Sequence, residues 1–226
     1  MSTTSRTESK HRSAQREGAR AGRHLAAAVF ATLALAAAGC GERTRVAALP
    51  PGATVVALGD SLTYGTGATP DTSYPAFLAE ATRWNVVNAG IPGDTAEQGC
   101  ARLPPLVAEH QPALVLVFLG GNDILRQRGA RLLREGLAAC VHAAAAAGVP
   151  LVLLAVPTFG VTGFTDAAIV EDFAKEAKVP WLSPGLGKLL RDDAMRSDAI
   201  HLNAAGYRAL ATNVADELRR LGYVGR

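Results

Sequence analysis

Seven consecutive apolar residues, Ala113-Leu-Val-Leu-Val-Phe-Leu119, constrain this chain more than any other stretch. A strand with one wet face alternates polar and apolar side chains, whereas an unbroken run of this length asks for burial on both faces. Parallel sheets provide such burial, because their crossover connections lay helices over both sides. Four further segments fit the same sheet: Thr54–Leu58, Asn85–Asn88, Pro150–Val156 and Val179–Leu182. The intervening patterns predict helices over 74–83, 95–110, 127–147 and 166–177, with a closing helix over 203–221. Asp94 and Asn203 stand where helix N-caps are expected. Strands alternating with helices form βαβ units. The expected fold is therefore α/β, a single doubly wound parallel five-stranded sheet flanked by helices.

The length, 226 residues, suits one sizeable core and not two. The formal charge of +3 is concentrated at one end: residues 1–45 hold 8 of the 23 Lys and Arg but 3 of the 20 Asp and Glu. The remaining 46–226 is close to neutral, which leaves no basic footprint for nucleic acid. The basic stretch runs into Leu25–Ala38, an alanine- and leucine-rich segment followed by Gly39-Cys40. A charged start, a short apolar run and small residues read as an export signal over 1–40. Gly39-Cys40 resembles a bacterial lipobox, which implies lipidation at Cys40 and an exported, envelope-anchored protein. Ala37 departs from that pattern, where leucine is usual, so cleavage after Ala38 without a lipid is the alternative. A buried N-terminal helix fits the charge pattern less well. Residues 41–53, ending in Pro50-Pro51-Gly52, read as a tether, and 54–226 as the folded domain. Downstream of Cys40 only Cys100 and Cys140 remain. They either pair in an oxidising compartment or, as Cys140 among alanines suggests, serve as small buried hydrophobes. No cysteine–histidine cluster has metal spacing.

In a doubly wound sheet, reactive groups gather beyond the carboxyl ends of the strands. The first strand ends in Gly59-Asp60-Ser61-Leu62, where a serine can project its hydroxyl or merely cap a helix. The second ends in Asn88-Ala-Gly-Ile-Pro-Gly-Asp-Thr95, a tight turn whose backbone N–H groups can face an anion. The third ends in Gly120-Gly-Asn-Asp123, a polar pair that must find partners or face a cleft. Near the C-terminus stands Asp198-Ala-Ile-His201, which can supply a general base and its orienting carboxylate from one loop. Gly65-Thr-Gly67 does not complete a dinucleotide fingerprint, since Pro70 occupies the third glycine position.

Each fragment alone is weak. Together, in this order, they resemble the GDSL (SGNH) hydrolase family, and in particular its bacterial lysophospholipase/thioesterase I and arylesterase branch. Gly93–Pro104 and Phe118–Asp123 are similar to that branch, and the resemblance spans about residues 54–215. It implies the flavodoxin-like SGNH hydrolase fold and serine esterase chemistry without metal or cofactor. It implies Ser61 as nucleophile, His201 as base and Asp198 as its orienting acid. It also implies an oxyanion hole from the backbone N–H groups of Ser61 and Gly93 with the Asn122 amide. Ile124–Gln127 would form a substrate-contact loop, with Ile124 and Leu125 at the substrate, and Pro157–Thr165 would line an acyl groove. The implied substrates are short-chain or aryl esters, acyl thioesters and lysophospholipids. A carbohydrate O-deacetylase of the same fold and a non-catalytic envelope-binding lipoprotein are the competing readings.

Overall fold

A computed structural model of the chain describes residues 47–160, 163–166 and 168–225. The expected export signal, its Cys40 and the first part of the tether lie outside the described residues. From residue 49 onward the expected tether is fixed to the domain: Leu49 N–H donates to the Tyr223 carbonyl and Gly52 N–H to that of Arg83, at 2.8 and 2.7 Å.

Five parallel strands form the central sheet: β1 (Thr54–Gly59), β2 (Asn85–Gly90), β3 (Leu114–Phe118), β4 (Leu151–Leu154) and β7 (Trp181–Leu182). Their order is β2-β1-β3-β4-β7. The apolar run that anchored the sequence reading occupies the centre, and every β3 residue is buried. The edges differ in kind. β2 leaves Asn85 and Asn88 exposed, and β7 has only two residues. β1 pairs with β2 on one side and β3 on the other. The chain therefore reverses direction across the sheet between β1 and β3, which opens a crevice beyond the carboxyl ends of those two strands.

Short helices follow the strands. α1 (Ser61–Tyr64) leaves β1 directly, and α2 (Tyr74–Thr82) returns to β2. The single helix expected over 95–110 is two, α3 (Ala96–Ala101) and α4 (Leu103–His110). The break falls before Pro104-Pro105, whose missing N–H groups suit a helix start and not its interior. Gly120 caps α5 (Gly121–Leu125), so Asn122 and Asp123 lie in its first turn. α6 (Ala130–Ala146), α7 (Ala168–Ala177) and α9 (Ala204–Leu221) match expected helices within two to three residues, and α8 (Leu186–Leu190) was not anticipated. Where the sequence suggested only a groove lining, β5 (Pro157–Gly160) and β6 (Gly163–Asp166) pair antiparallel outside the main sheet.

Cys100 of α3 and Cys140 of α6 form a disulfide, with Cα atoms 4.8 Å apart. Of the two readings open for these cysteines, pairing is the one the structure contains. Both are also fully buried. Closing a loop with sequence separation 40 stabilises by about 3–4 kcal/mol in the chain-entropy picture. Among the described residues, no helix is long and apolar enough to cross a membrane.

Candidate active site

The crevice predicted by the strand order holds the polar groups singled out in the sequence. Ser61 is the first residue of α1. Asp60 caps that helix, its Oδ1 accepting from Leu62 N–H at 3.1 Å. Gly59 is obligatory for this exit from the sheet. A Cβ there would overlap the Thr63 side chain and come within 2.9 Å of the Phe118 carbonyl.

His201 Nε2 lies 3.0 Å from Ser61 Oγ. Its Nδ1 lies 2.8 Å from Asp198 Oδ2. An ionised carboxylate only accepts, so this contact puts the ring proton on Nδ1 and leaves Nε2 free to accept from the serine hydroxyl. Asp198 Oδ1 accepts from the backbone N–H groups of Ile200 and His201 at 2.8 and 2.9 Å. Burial acts to raise the Asp198 pKa, but these donors and the His201 ring outweigh it and hold it below the usual carboxylate value.

The loop that carries this pair is braced on both sides. Asn203 caps α9 by accepting from Gly206 N–H, and its own amide donates to the carbonyls of Ala194 and Arg196. Tyr207 then reaches across, its hydroxyl donating to the Thr66 carbonyl at 2.8 Å. That bond fastens the histidine segment to the segment just after the serine.

Asn122 sits on α5 with both amide hydrogens engaged. Its Nδ2 donates to Asp60 Oδ2 at 3.2 Å and to the Asp94 carbonyl at 3.0 Å. The second bond draws the 91–95 turn beside Asn122. In that turn Gly93 takes a left-handed backbone, φ +86°, which favours glycine. Asp60 is 3% exposed. Burial pushes its carboxyl up to about 6, against the lowering effects of Leu62 N–H, His201 and Asn122 and with a further push from Asp94.

Asp94 is not the helix cap that its position suggested. Thr95 caps α3, and Gln98 answers it in a capping box, a Thr-x-x-Gln pattern visible in the sequence. Asp94 instead pairs with Arg102 at 2.7 Å. Arg102 in turn donates to the Ala89 and Gly59 carbonyls at 3.0 and 3.3 Å, tying the ends of β1 and β2 together. No sequence signal marked this brace, because it joins residues 43 positions apart through a side chain. Asp123 is buried and accepts from Ala96 N–H at 2.8 Å, so it supports the turn from below.

A cleft opens over Ser61 and His201. Ile124 and Leu125, both expected at the substrate, line it with Leu62 and Pro157. Leu190 and Ile200 complete its apolar wall and were not singled out in the sequence. Among the other histidines, His142 is exposed and His110 neighbours Glu109; His11 and His24 lie outside the described residues. Among the described residues no group of three or more His, Cys, Asp or Glu is placed to hold a metal ion.

Comparison with known proteins agrees with this geometry. Residues 57–209 match the GDSL-like Lipase/Acylhydrolase family. The chain is 35% identical over 180 residues to Esterase TesA of Pseudomonas aeruginosa, covering 74% of this chain and 89% of that protein. It is 37% identical over 178 residues to thioesterase 1/protease 1/lysophospholipase L1 of Escherichia coli K12, covering 74% and 84%. Among solved structures, a crystal structure of TesA superposes with TM-score 0.65 at 31% identity over 74% of this chain and 99% of that one. The psychrotrophic esterase EstA from Pseudoalteromonas superposes with TM-score 0.66 at 23% identity over 74% and 97%, a likeness of fold. The chain belongs to the GDSL-like lipase/acylhydrolase family and is a serine hydrolase acting on ester bonds.

Proposed function

We propose that Ser61, His201 and Asp198 perform this hydrolysis as nucleophile, general base and orienting acid. The observation that carries the assignment is the chain of two hydrogen bonds, 3.0 Å from Ser61 to His201 and 2.8 Å from His201 to Asp198. Ser61 Oγ attacks the acyl carbon while its proton passes to His201 Nε2. The tetrahedral intermediate collapses, and the leaving group departs with that proton. Water then attacks the acyl-Ser61 ester, losing its proton to His201, and His201 returns that proton to Ser61 Oγ as the acid product leaves. The ionised Asp198 steadies the imidazolium that forms twice in this cycle.

The developing oxyanion is held by the backbone N–H groups of Ser61 and Gly93 and by the Asn122 amide. Ser61 opens a helix, so its N–H has no intrahelical acceptor. Asn122 must turn one amide hydrogen away from Asp60 or from the Asp94 carbonyl to reach the substrate. The remaining bond keeps the amide in place while the other hydrogen is exchanged onto the substrate oxygen.

The apolar wall of Leu62, Ile124, Leu125, Pro157, Leu190 and Ile200 supports acyl groups bound beside the serine. Carboxylic esters, acyl thioesters and lysophospholipids fit that wall and the names of the relatives. The test is hydrolysis of p-nitrophenyl esters from two to sixteen carbons. Activity is expected to vanish in Ser61→Ala with the fold retained; wild-type-like turnover in that variant removes the assignment.

We also propose that the protein is exported and anchored through a lipid on Cys40. The basic start, the apolar run and Gly39-Cys40 support this reading. So does the Cys100–Cys140 disulfide, since such bonds persist in oxidising compartments. Cys40→Ala is expected to move the protein from the membrane to the soluble fraction, and unchanged fractionation counts against the anchor.

A further inference from the structure

The turn that carries Gly93 is closed by its own backbone, so its orientation depends on what grips it. Asp94 N–H donates to the Ile91 carbonyl at 3.1 Å. Pro92 holds the second place of that turn and Gly93, with φ +86°, the third, the residue pattern of a type II turn. The closing bond uses the N–H of Asp94 and not that of Gly93. At the front of the turn, Ile91 N–H donates to the Gly59 carbonyl at 3.1 Å. At its rear, the Asp94 carboxylate accepts from Arg102 Nε at 3.0 Å and Nη2 at 2.7 Å. The same guanidinium donates through Nη1 to the Ala89 carbonyl at 3.0 Å and through Nη2 to the Gly59 carbonyl at 3.3 Å. One planar group thus holds the end of β1, the end of β2 and the turn. Gly59 stands two residues before Ser61, and Asp94 directly follows Gly93. Arg102 is itself anchored. Its backbone N–H donates to the Gly99 carbonyl at 3.0 Å, Leu103 beside it is fully buried, and Cys100 is tied to α6 by the disulfide.

We propose that Arg102 is a positioning residue for the oxyanion hole, setting the Gly93 N–H against the Ser61 N–H. This rests on the proposed triad and its oxyanion donors. Arg102 touches no reacting atom and acts through Gly59 and Asp94. Asn122 also holds the turn, through the Asp94 carbonyl, but its amide is itself a donor to the substrate and exchanges one of its bonds during the reaction. The partners of Arg102 do not react, so its grip persists through the cycle. Backbone donors stabilise an oxyanion only when they are already in place as the charge develops. The grip is suited to that task. Its bonds to Asp94 are charge-assisted, and the side chains are 26% and 13% exposed, so water competes little for them. A lysine at this position would keep the charge but lose the fork that reaches three acceptors at once.

The test reads kcat and KM separately on a p-nitrophenyl ester, in the full chain, for Arg102→Gln, Arg102→Lys, Asp94→Ala and the double variant Arg102→Gln/Asp94→Ala. Arg102→Gln is expected to lower kcat about thirtyfold with KM changed by less than about twofold, because a misplaced donor forfeits part of what a deleted one does. Arg102→Lys is expected to recover little of that loss. The double variant is expected to be no slower than Arg102→Gln alone, since both substitutions break the same link. The acidic limb of the pH profile of kcat/KM, which reports the general base, is expected to stay where it is in every variant. Wild-type kcat in Arg102→Gln or Arg102→Lys, losses that multiply in the double variant, or a displaced acidic limb overturns the positioning role. Where Arg102→Gln does not fold, Arg102→Lys and Asp94→Ala carry the same reading, and wild-type kcat in both overturns it. Turnover that persists in Ser61→Ala removes the triad and this role together, whereas Ser61-dependent turnover unmoved by the Arg102 variants overturns this role alone.

Discussion

The serine side and the histidine side of the cleft reach rigidity by opposite routes. On the serine side, Gly59, Asp60 and Thr63 sit at the end of a buried strand, and Asp60 is 3% exposed. On the histidine side, the loop before α9 is open to water, and the Asp198 side chain is 52% exposed. Sterics and burial fix the first; a lattice of hydrogen bonds from Asn203, Ile200 and His201 fixes the second. The two aspartates record the difference. Burial drives the Asp60 carboxyl up to about 6, whereas donors hold that of Asp198 below its ordinary value. The lesson is that a carboxylate meant to stay ionised beside an imidazole does better in a solvated loop with donors than in the core.

If that division is right, the largest loss should come from the exposed carboxylate. Asp198→Asn removes the charge that steadies the imidazolium and is expected to lower kcat by about 10²–10⁴ with little change in stability. A loss of less than threefold would mean that the buried Asp60 supplies the compensating charge. Asn122→Ala is expected to cost about 10²–10³ in kcat with KM nearly unchanged, the pattern of a lost oxyanion donor. Steady-state kinetics on a p-nitrophenyl ester measures both.

Asp60→Asn sharpens the comparison from the other side. Asp60 accepts from both Leu62 N–H and the Asn122 amide. Either orientation of an asparagine at 60 faces one of those donors with another donor. The expected cost is about tenfold in kcat, through a displaced Asn122. The pH dependence of stability gives an independent reading. The Asp60 carboxyl titrates near 3.8 when unfolded and near 6 when folded. Between those values the native state holds the extra proton, so wild-type stability falls, relative to Asp60→Asn, as pH rises through that window. A flat difference in unfolding free energy across pH 4–6 would contradict the burial account. Asp198 has the opposite sign: its contribution is present above the ordinary carboxylate range and fades as pH falls.

The smallest effect belongs to the link between the two sides. Tyr207→Phe removes the bond to the Thr66 carbonyl and is expected to cost about 1 kcal/mol in stability, measured by denaturant unfolding, with a small drop in kcat.

Much of this was legible from the residues, and the reasons are physical. The apolar run at 113–119 demanded a doubly covered strand, and β3 is that strand. The strand ends then pointed to Ser61 and Asn122, because position along a parallel sheet is set by sequence. Asp198-Ala-Ile-His201 could supply a base and its orienting acid, but the pattern is weak alone, and the roles of all these residues came from the ordered resemblance to the GDSL family. What stayed hidden depends on contacts between distant segments. Asp94 looked like a cap, but its partner Arg102 comes from the far end of α3, while Thr95 takes the capping role. The double engagement of Asn122 depends on how α5 meets Asp60 and the 91–95 turn. The β5–β6 hairpin joins no strand of the main sheet, so the alternating pattern that revealed the sheet could not reveal it.

The most direct test of the central claim is covalent labelling with a fluorophosphonate, followed by peptide mass mapping. One adduct per chain is expected, on the peptide containing Ser61, absent in Ser61→Ala and formed far more slowly in His201→Ala. An adduct on another residue, or undiminished labelling in Ser61→Ala, would contradict it.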